Sequence, residues 1–495
     1  MLPTQKEKQD EMEFVSVGEL VPRDHLLRKI EGAIDFEFIR GRVKGLYCAD
    51  NGRPAIDPVV LFKMLFIGYL FGIRSERQLE REIQVNVAYR WFLGFGLRER
   101  VPDASTLSQN RRRRFSESTV YQEIFDEIVL QAVKRNLVDG KVLYSDSTHL
   151  KANANKNKFE EREVKRSARE YLDDLDEDIN EDRQAHGKKA FEVKDKEEKK
   201  EIKVSTVDPE SGYMVRDGKP KGFFYLDHRS VDGKHAIITD SHATPANVHD
   251  SIPYLDRLDR QRERFGFKVE AVGLDAGYFT PGICKGLEDR NIYGVMGYRR
   301  PNHIKGYFYK RDFQYDCEKD SYWCPCGQEI LYRTTNRLGY REYISDAKQC
   351  RKCVYLHRCT KSANCKKVIT RHVWQASKDR IDEHRLSEKG KAIYDHRKET
   401  VERSFADAKQ LHGHRYARMR GLRKVLEQCL LAAACQNMKK IALITARQLS
   451  LLSQGPAEGL MSGLRSTWRF LDRFLHSLNF FPQYNISPLP ITNPA

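Results

Sequence analysis

The feature that most constrains the fold is a change in hydrophobic periodicity near residue 140. Between Val15 and about Val133, apolar residues recur at the spacing of one helix face. From Lys141 to Thr148 the pattern becomes strand-like, with β-branched and aromatic residues around one acid. Further strand-like segments, separated by helical ones in the later part, lie at 222–226, 235–239, 269–275 and 292–296. This order predicts an all-helical N-terminal domain followed by a mixed α/β sheet.

Two helices near the end of the first region are candidates for DNA binding. One begins at Ser75 in a Ser-x-x-Gln capping box, and a break at residues 94–96 separates it from the second. The second helix is capped at residues 102–106 and ends in four basic residues, Arg111, Arg112, Arg113 and Arg114. The pair predicts a DNA reader of the helix-turn-helix type. A helical bundle with a solvated basic end explains the same pattern equally well.

Three acidic residues occupy matching contexts in the second region. Asp146 and Asp275 each end a strand-like segment, and a glycine two residues after Asp275 permits a tight exit. Glu402 lies in a helical pattern, with Lys409 seven residues later on the same face. Carboxylates converging from two strands and a helix would bind two Mg²⁺ ions about 4 Å apart, which suits in-line displacement at a phosphodiester. Because the chain has 70 acidic residues, ordinary strand ends and an exposed helix residue are the alternative interpretation.

The charge distribution favours a polyanionic partner. The chain has 87 Lys and Arg against 70 Asp and Glu, a formal net charge of +17. Residues 156–203 are densely charged but slightly acidic, so the positive excess lies outside this segment, which is predicted to be an inserted helix or a spacer. The run from Arg397 to Lys424, by contrast, is strongly basic and surrounds Glu402. It predicts a surface that binds a DNA backbone, although a solvated helix face has a similar composition.

The chain has eleven cysteines, six of which cluster between residues 324 and 365. The N-terminal residues are polar and show no secretion signal, so these thiols are expected to be reduced and cytoplasmic. A Cys-x-Cys pair and a Cys-x-x-Cys pair predict a structural Zn²⁺ site. The favoured ligands are Cys324, Cys350, Cys353 and Cys359, with Cys326 as a further candidate. Reduced thiols in a loop are the alternative.

The residues around Glu402 resemble the signature of a known enzyme family. Tyr394, Arg397, Glu402 and Lys409 form a Tyr-x-x-Arg, Glu, Lys pattern similar to that of bacterial insertion-sequence transposases with a DDE catalytic domain. The helical N-terminal part, the charged segment and the Cys-rich block look most like the insertion sequence 1182 group. The chain departs from the pattern in one place, because four residues rather than three separate Arg397 from Glu402.

The resemblance implies a ribonuclease H-like catalytic domain and a set of residue roles. Asp146, Asp275 and Glu402 would bind Mg²⁺ or Mn²⁺, while Tyr394 and its two basic companions in the motif would contact double-stranded DNA. The implied reaction is cleavage at the ends of an insertion element followed by transfer of the freed 3′-hydroxyl into target DNA. A homo-oligomer on DNA is expected, because two ends must be joined.

The predicted organisation has five parts. They are a helical DNA-binding domain (1–135), the first part of the catalytic domain (136–305), a zinc-knuckle-like insertion (306–375), a helical part with the glutamate (376–447) and a tail (448–495). No apolar run reaches the ~20 residues needed to span a bilayer, so we expect a cytoplasmic, nucleoid-associated protein. A transposase-derived DNA-binding protein without catalysis and a stand-alone nuclease of the same fold are the alternative functions.

Overall fold

The computed structural model describes residues 12, 14–48, 55–166, 172–192, 198–215, 218, 220–298 and 304–453. Residues up to 442 belong to one compact unit, and a second begins at residue 443. Most of the predicted tail, from residue 454 onward, lies outside the described residues. Among the described helices, none is both long and apolar enough to cross a lipid bilayer.

The N-terminal region is all-helical, as its sequence pattern predicts. Its most buried element is the helix that begins at Pro58, where Asp57 accepts a hydrogen bond from the Val59 N–H at 2.9 Å. Even Lys63 within this helix is buried, because its ammonium group pairs with Glu31 at 2.7 Å. The helices are α1 (Val17–Leu20), α2 (Leu26–Ala33), α3 (Phe38–Val43), α4 (Pro58–Leu70), α5 (Glu76–Val85), α6 (Val87–Leu93), α7 (Ala104–Arg113) and α8 (Val120–Lys134).

The candidate DNA-reading helices differ from the prediction in number. Ser75 caps α5 as expected, but α5 ends early and Asn86 caps the separate helix α6 by accepting from the Tyr89 N–H at 3.1 Å. The break at Gly94, which adopts a left-handed conformation (φ 76°), therefore lies between α6 and α7. Three helices rather than two lead to the arginine run. The sequence pattern does not reveal the boundary between α5 and α6, because the polar Asn86 lies within an otherwise continuous helical pattern.

The start of α7 also differs in how it is capped. Asp103 occupies the N-cap position, yet its side chain makes no capping hydrogen bond. Instead, Glu80 on α5 accepts a hydrogen bond from the Ala104 N–H at 2.8 Å. A long-range carboxylate thus replaces the local cap and holds the beginning of α7 against α5.

A six-stranded mixed sheet follows the helices, as the change in periodicity predicts. Its strands are β1 (Val142–Lys151), β4 (Gly212–Met214), β5 (Gly222–Asp232), β6 (Ile238–Pro245), β7 (Ala271–Leu274) and β8 (Tyr293–Met296). β1 pairs antiparallel with β5 and parallel with β7, while β7 pairs parallel with β8. β4 and β6 both pair antiparallel with β5. The helices α10 (Tyr254–Phe265) and α11 (Pro281–Asp289) connect the last three strands.

The charged segment between β1 and β4 contains more than the predicted helix. Strands β2 (Phe159–Arg166) and β3 (Glu198–Ser205) form an antiparallel pair on either side of α9 (Leu172–Ala185). α9 is anchored through Asp182, which pairs with Arg341 at 2.5 Å. The prediction of a helix or spacer missed the strands because charged residues dominate both of them.

The Cys-rich block folds around a five-stranded antiparallel sheet in the order β13-β12-β11-β10-β9. The cysteine pattern predicts an insertion with a structural Zn²⁺ site, whereas the sheet also buries an apolar core of its own, formed by Phe313, Tyr322, Ile330, Tyr343 and Ile369. Two tyrosines belong to this core, and the cysteine pattern does not predict it. The elements are β9 (Gln314–Asp316), β10 (Ser321–Trp323), β11 (Glu329–Thr335), β12 (Tyr340–Ile344), α12 (Ala347–Arg351), α13 (Leu356–Cys359) and β13 (Val368–His372).

The last region is helical, as predicted, and joins the first region to the sheet. It comprises α14 (Gln375–Leu386), α15 (Glu388–His396), a π-helical turn (Lys398–Glu402), α16 (Arg403–Leu411) and α17 (Leu422–Ser453). The ring of His412 bonds the Tyr69 carbonyl of α4 at 2.9 Å, and the Cys435 thiol contacts the Phe66 carbonyl at 3.6 Å. Residues more than 340 positions apart therefore pack together within the first compact unit.

Candidate functional site

Strand register places Asp146 and Asp275 side by side. The parallel pairing of β1 with β7 ends at Ser145 opposite Leu274, so each aspartate is the residue that follows the last paired position. Neighbouring strands lie about 4.8 Å apart. The prediction that Asp146 ends its strand is wrong, because β1 continues to Lys151 through its pairing with β5. Asp275 does follow the last residue of β7, as predicted.

Glu402 reaches the same place from the π-helical turn. The Glu402 N–H donates to the Arg397 carbonyl, five residues earlier, at 3.2 Å. Such a turn accommodates one more residue than an α-helical turn. The four residues that separate Arg397 from Glu402, the departure noted in the sequence, therefore still leave both side chains on one face.

The three carboxylates converge on the guanidinium group of Arg397. Its Nη2 donates to Asp146 at 2.9 Å, while Nη1 lies 3.9 Å from Asp275 and 3.8 Å from Glu402. The Arg397 side chain is only 4% exposed, whereas those of Asp275 and Glu402 are about half exposed at 54% and 49%. A single buried cation thus lies where the carboxylate oxygens meet. The structure brings together all three predicted acids.

The electrostatics of the site follow from crowding these acids. Burial raises the pKa of Asp146 to about 6, and the neighbouring Asp275 and Asp250 act in the same direction. Arg397 and the Ser147 N–H, which donates to Asp146 at 2.8 Å, oppose this rise. The cluster therefore favours a positive charge among its oxygens. Carboxylate oxygens are also the ligands that Mg²⁺ and Mn²⁺ prefer, so the residues present fit such ions.

A cavity of about 430 Å³ opens beside this cluster and contains a fourth acid. Asp146, Asp275, Asp250 and Lys409 line it. Asp250 accepts a hydrogen bond from the Ser147 hydroxyl at 2.9 Å. Sequence reasoning missed Asp250, since only the position of the connection after β6 brings it to β1. The predicted placement of Lys409 near the acids is in keeping with this geometry.

Tyr394 is held next to Arg397 by the end of β8. Its hydroxyl lies 3.5 Å from Arg397 Nη1, and the guanidinium carbon is 5.3 Å from the tyrosine ring centre. Gly297 makes room for it, because a Cβ atom there would come within 2.6 Å of the tyrosine hydroxyl. Both members of the Tyr-x-x-Arg pair thus face the carboxylates rather than an open surface, and their contact with DNA stays a prediction.

The four predicted DNA-binding arginines have different surroundings. Arg111 is 13% exposed and pairs with Glu76 and Glu427, both at 2.5 Å, so the structure gives it a buried structural position. Arg114 stacks on the Tyr47 ring at 3.9 Å from its centre. The other two, Arg112 and Arg113, are exposed.

The cysteines predicted to bind zinc line one cavity of about 420 Å³ in the insertion. All four favoured residues and Cys326 belong to its wall. The thiols of Cys326, the further candidate, and Cys353 lie 3.2 Å apart. The separation in a tetrahedral site with Zn–S bonds of about 2.3 Å is roughly 3.8 Å. Within the described part of the chain, no three of these thiols lie within 4.8 Å of one another.

The described residues do contain one compact group of metal-ligand types elsewhere. Asp227, His414 and Cys429 are fully buried, with their ligand atoms within 4.8 Å of one another. Burial would raise the pKa of Asp227, but Arg229 and His414 outweigh this effect and hold the pKa well below its ordinary value. Arg229 already neutralises the carboxylate through a contact of 2.8 Å. We interpret the group as a buried ion pair within β5 to which the ring of His414, in the segment before α17, is bonded at 2.9 Å.

Comparison with protein families gives two matches. Residues 15–113 match the family described as Transposase domain (DUF772), and residues 323–442 match the family described as Transposase DDE domain. Both matched segments are thus similar to transposase domains, which supports a function in DNA transposition by a mobile element. The DDE match contains Glu402 and its motif, whereas Asp146 and Asp275 lie between the two matched segments.

A solved structure, the Mos1 mariner paired end complex with Mn, is similar to this chain at 12% identity. The TM-score is 0.16, and the match covers 52% of this chain and 65% of that chain. A score this low does not establish a shared fold. No curated protein matches this chain.

Proposed function

We propose that this chain is a DDE transposase of the insertion sequence 1182 group. It would hydrolyse a phosphodiester at each end of an insertion element. The freed 3′-hydroxyl would then attack a phosphodiester of target DNA, forming a new phosphodiester and releasing a 3′-hydroxyl on the target strand. The observation that carries the proposal is the convergence of Asp146, Asp275 and Glu402, from three separate elements, on one buried guanidinium group. The DDE domain match around Glu402 supports the same assignment.

The sheet order supports a ribonuclease H-like catalytic core. Reading across the sheet, three antiparallel strands (β6, β5, β1) are followed by two parallel strands (β7, β8). The two aspartates then lie where the central strand β1 meets its first parallel neighbour. In open α/β sheets, sites commonly form at the carboxyl ends of strands where the connections diverge.

The carboxylates would hold two Mg²⁺ or Mn²⁺ ions. When bound, such ions activate the attacking hydroxyl and stabilise the leaving oxygen of a phosphodiester. Asp146 and Asp275 would supply oxygens from the sheet, and Glu402 would supply them from the π-helical turn. Lys409, on the wall of the same cavity, would hold a DNA phosphate against these residues.

The Cys-rich insertion would carry a structural Zn²⁺ ion. The favoured ligands remain Cys324, Cys350, Cys353 and Cys359, and the short Cys326–Cys353 separation supports Cys326 as an alternative member. Zinc content measured by atomic absorption in the purified protein tests which cysteines bind. Loss of zinc in Cys324→Ser but not in Cys326→Ser would support the favoured set, and the reverse result would support Cys326 as a ligand. Because the insertion has its own apolar core, we expect the rest of the chain to stay folded when zinc is removed.

The proposed partners are double-stranded DNA and further copies of the chain. Joining two element ends requires two sites, so a homo-oligomer would assemble on DNA. The excess of positive charge over the whole chain favours association with the nucleoid.

Strand transfer of labelled element ends in the presence of Mg²⁺ tests the proposal. We expect joining by the wild type and at least ~1000-fold slower joining by Asp146→Asn, Asp275→Asn and Glu402→Gln, because each removes a metal ligand. The matched control is Glu399→Gln, which alters a 79% exposed carboxylate in the same turn. This control should join DNA at the wild-type rate.

The alternative functions give different results in the same assay. A non-catalytic DNA-binding protein would retain the labelled DNA without cleaving it. A stand-alone nuclease would cleave the DNA but never join a 3′-hydroxyl end to a new strand. Full joining by Glu402→Gln would contradict the assignment of the third carboxylate.

A further inference from the structure

A groove of about 760 Å³ lies between the N-terminal helices and the segment that leads into α17. Helices α5 and α7 form one wall, and residues 418–424 form part of the other. We call it the basic groove and define it by the exposed polar side chains on its walls, Arg74, Arg77, Arg112, Lys424, Ser75, Ser105 and Gln109. Two basic segments that the sequence presented separately, the arginine run and residues 397–424, therefore meet here.

The exposed charge of the basic groove is positive. Six basic residues and one acidic residue line it. Arg111 is neutralised by Glu76 and Glu427, and Arg418 stacks on the ring of Tyr69 at 4.0 Å from its centre. The four remaining cations are those that define the groove. Together with the hydroxyl groups of two serines, they match the donors that contact DNA phosphates in sequence-independent binding.

The walls of the basic groove are fixed before any ligand binds. Arg111 on α7 pairs with Glu76 on α5 and with Glu427 on α17, each at 2.5 Å. These contacts are largely buried, so solvent screens them little. The spacing of the walls therefore needs no reorganisation on binding, which favours a rigid ligand of fixed width.

The rim of the basic groove connects to the strand that carries Asp146. The Arg74 guanidinium lies over the exposed ring of Tyr416, 5.3 Å from its centre, and Lys151 approaches the same ring at 5.9 Å. The Lys151 N–H also donates to the Arg415 carbonyl at 3.1 Å. Lys151 lies five residues beyond Asp146 on β1, a distance of about 17 Å along an extended strand. At roughly 3.4 Å per base pair, this corresponds to about five base pairs of DNA.

We propose that the basic groove binds the sugar-phosphate backbone of duplex DNA about five base pairs from the phosphate that reacts at Asp146. The inference rests on the proposed function for its duplex substrate and its reacting phosphate. It adds Arg74 and Arg77 to the DNA contacts, and it gives Lys424 and Tyr416 of the basic run a position in the groove and at its rim. It also assigns Arg111 to holding the walls rather than to DNA.

The first test measures DNA binding without divalent metal, so that catalysis plays no part. The triple variant Arg74→Ala, Arg77→Ala, Lys424→Ala should bind a duplex at least ~10-fold more weakly near 0.1 M salt. The slope of log affinity against log salt should fall by about 2 to 3, since each lost phosphate contact removes about 0.9. The weakening should be equal for element-end and unrelated duplexes, because backbone contacts carry no sequence information.

The matched control removes three positive charges outside the basic groove. Arg260→Ala, Lys268→Ala and Arg333→Ala change three exposed basic residues outside the groove. An equal loss of affinity in this control would show a general charge effect and overturn the proposal. Preferential loss of single-stranded DNA binding, or unchanged duplex binding in the groove variant, would overturn it as well.

The second test locates the groove on the DNA. A thiol-reactive photo-crosslinker attached to Tyr416→Cys should react with nucleotides about five base pairs from the cleavage position. Crosslinks more than ten base pairs away, or none, would contradict the predicted path.

Glu402→Gln separates the two proposals, because this variant should bind and crosslink DNA normally even though it cannot join it. Groove-dependent binding by a wild type that never joins DNA would refute the proposed function and leave the groove assignment standing.

Discussion

At the scale of single residues, the site is organised around Arg397. This side chain contacts all three carboxylates, and it is nearly inaccessible to solvent. Like charges held this close would repel one another without a cation among them. Arg397 therefore stabilises the cluster in the metal-free protein and competes with metal for the same oxygens.

Removing this competitor should strengthen metal binding. We expect Arg397→Met to bind Mn²⁺ about 10-fold more tightly than the wild type in the absence of DNA, measured by isothermal titration calorimetry. Such a change corresponds to about 1.4 kcal/mol of binding free energy. The control is Arg403→Met, which changes a 69% exposed arginine on the adjacent helix. Weaker Mn²⁺ binding by the Arg397 variant would show that the guanidinium supports the metal site instead of competing for it.

At the scale of elements, the π-helical turn explains how an irregular motif keeps its geometry. The extra residue between Arg397 and Glu402 lengthens the hydrogen-bonded turn from four residues to five. Thr400 and Val401 face the interior, while Lys398 and Glu399 face solvent. The insertion is thus absorbed on the exposed side of the helix.

Deleting Glu399 should convert this turn to a regular α-helical one. Arg397 and Glu402 would then be four positions apart and still share a face. We expect the variant to fold and to join DNA within ~10-fold of the wild type. Strand transfer, with circular dichroism to verify folding, provides the measurement. Replacing Glu399 by glycine without deletion is the control for loss of the side chain. A folded deletion variant without activity would show that the π-helical geometry itself is required.

Sequence patterns predicted elements whose signals are local. The strand-like runs before Asp146 and Asp275 lie in β1 and β7, and the Ser75 cap marks the start of α5. Elements that depend on distant partners were not predicted from the sequence. Glu80 caps α7 from another helix, and the sheet of the Cys-rich block depends on tyrosines that pack only after folding. Propensity and spacing along the chain carry no information about such partners.

At the scale of the whole molecule, the N-terminal helices and the region around α16 and α17 form one interface. Its contacts include the Arg111 ion pairs and the bond from His412 to the Tyr69 carbonyl. Neither the place of Asp250 in the site nor the basic groove could be predicted from the sequence, because each depends on how separate parts of the chain pack together. The three acids proposed as catalytic could be predicted because their local motifs are distinctive.

This interface should weaken in mild acid. Burial lowers the pKa of His412 to about 4, below the usual 6.5, because the buried ring disfavours the charged form. His412 therefore contributes stability that is present above pH ~6.5 and is lost as the pH falls towards about 4. Between about pH 7.5 and pH 5, the contribution to the free energy of unfolding should fall by about 2 kcal/mol.

Urea unfolding at both pH values provides the measurement. His412→Asn keeps a donor for the Tyr69 carbonyl and should lose that part of the pH dependence. His357→Asn, which alters an exposed histidine of the Cys-rich block, should retain the wild-type pH dependence. An unchanged pH dependence in the His412 variant would contradict the assignment.

The separation of the acids along the chain has a consequence for protein synthesis. Arg397 and Asp146 touch although they are 251 residues apart. At about 5 to 20 residues per second, a ribosome needs roughly 13 to 50 s to travel from one to the other. During that interval the nascent chain carries first Asp146 alone and then, after residue 275, both aspartates without Glu402. A message broken before codon 402 yields a product that lacks the glutamate altogether. Under the proposed function, a copy truncated before residue 402 lacks the third carboxylate and should cleave no DNA.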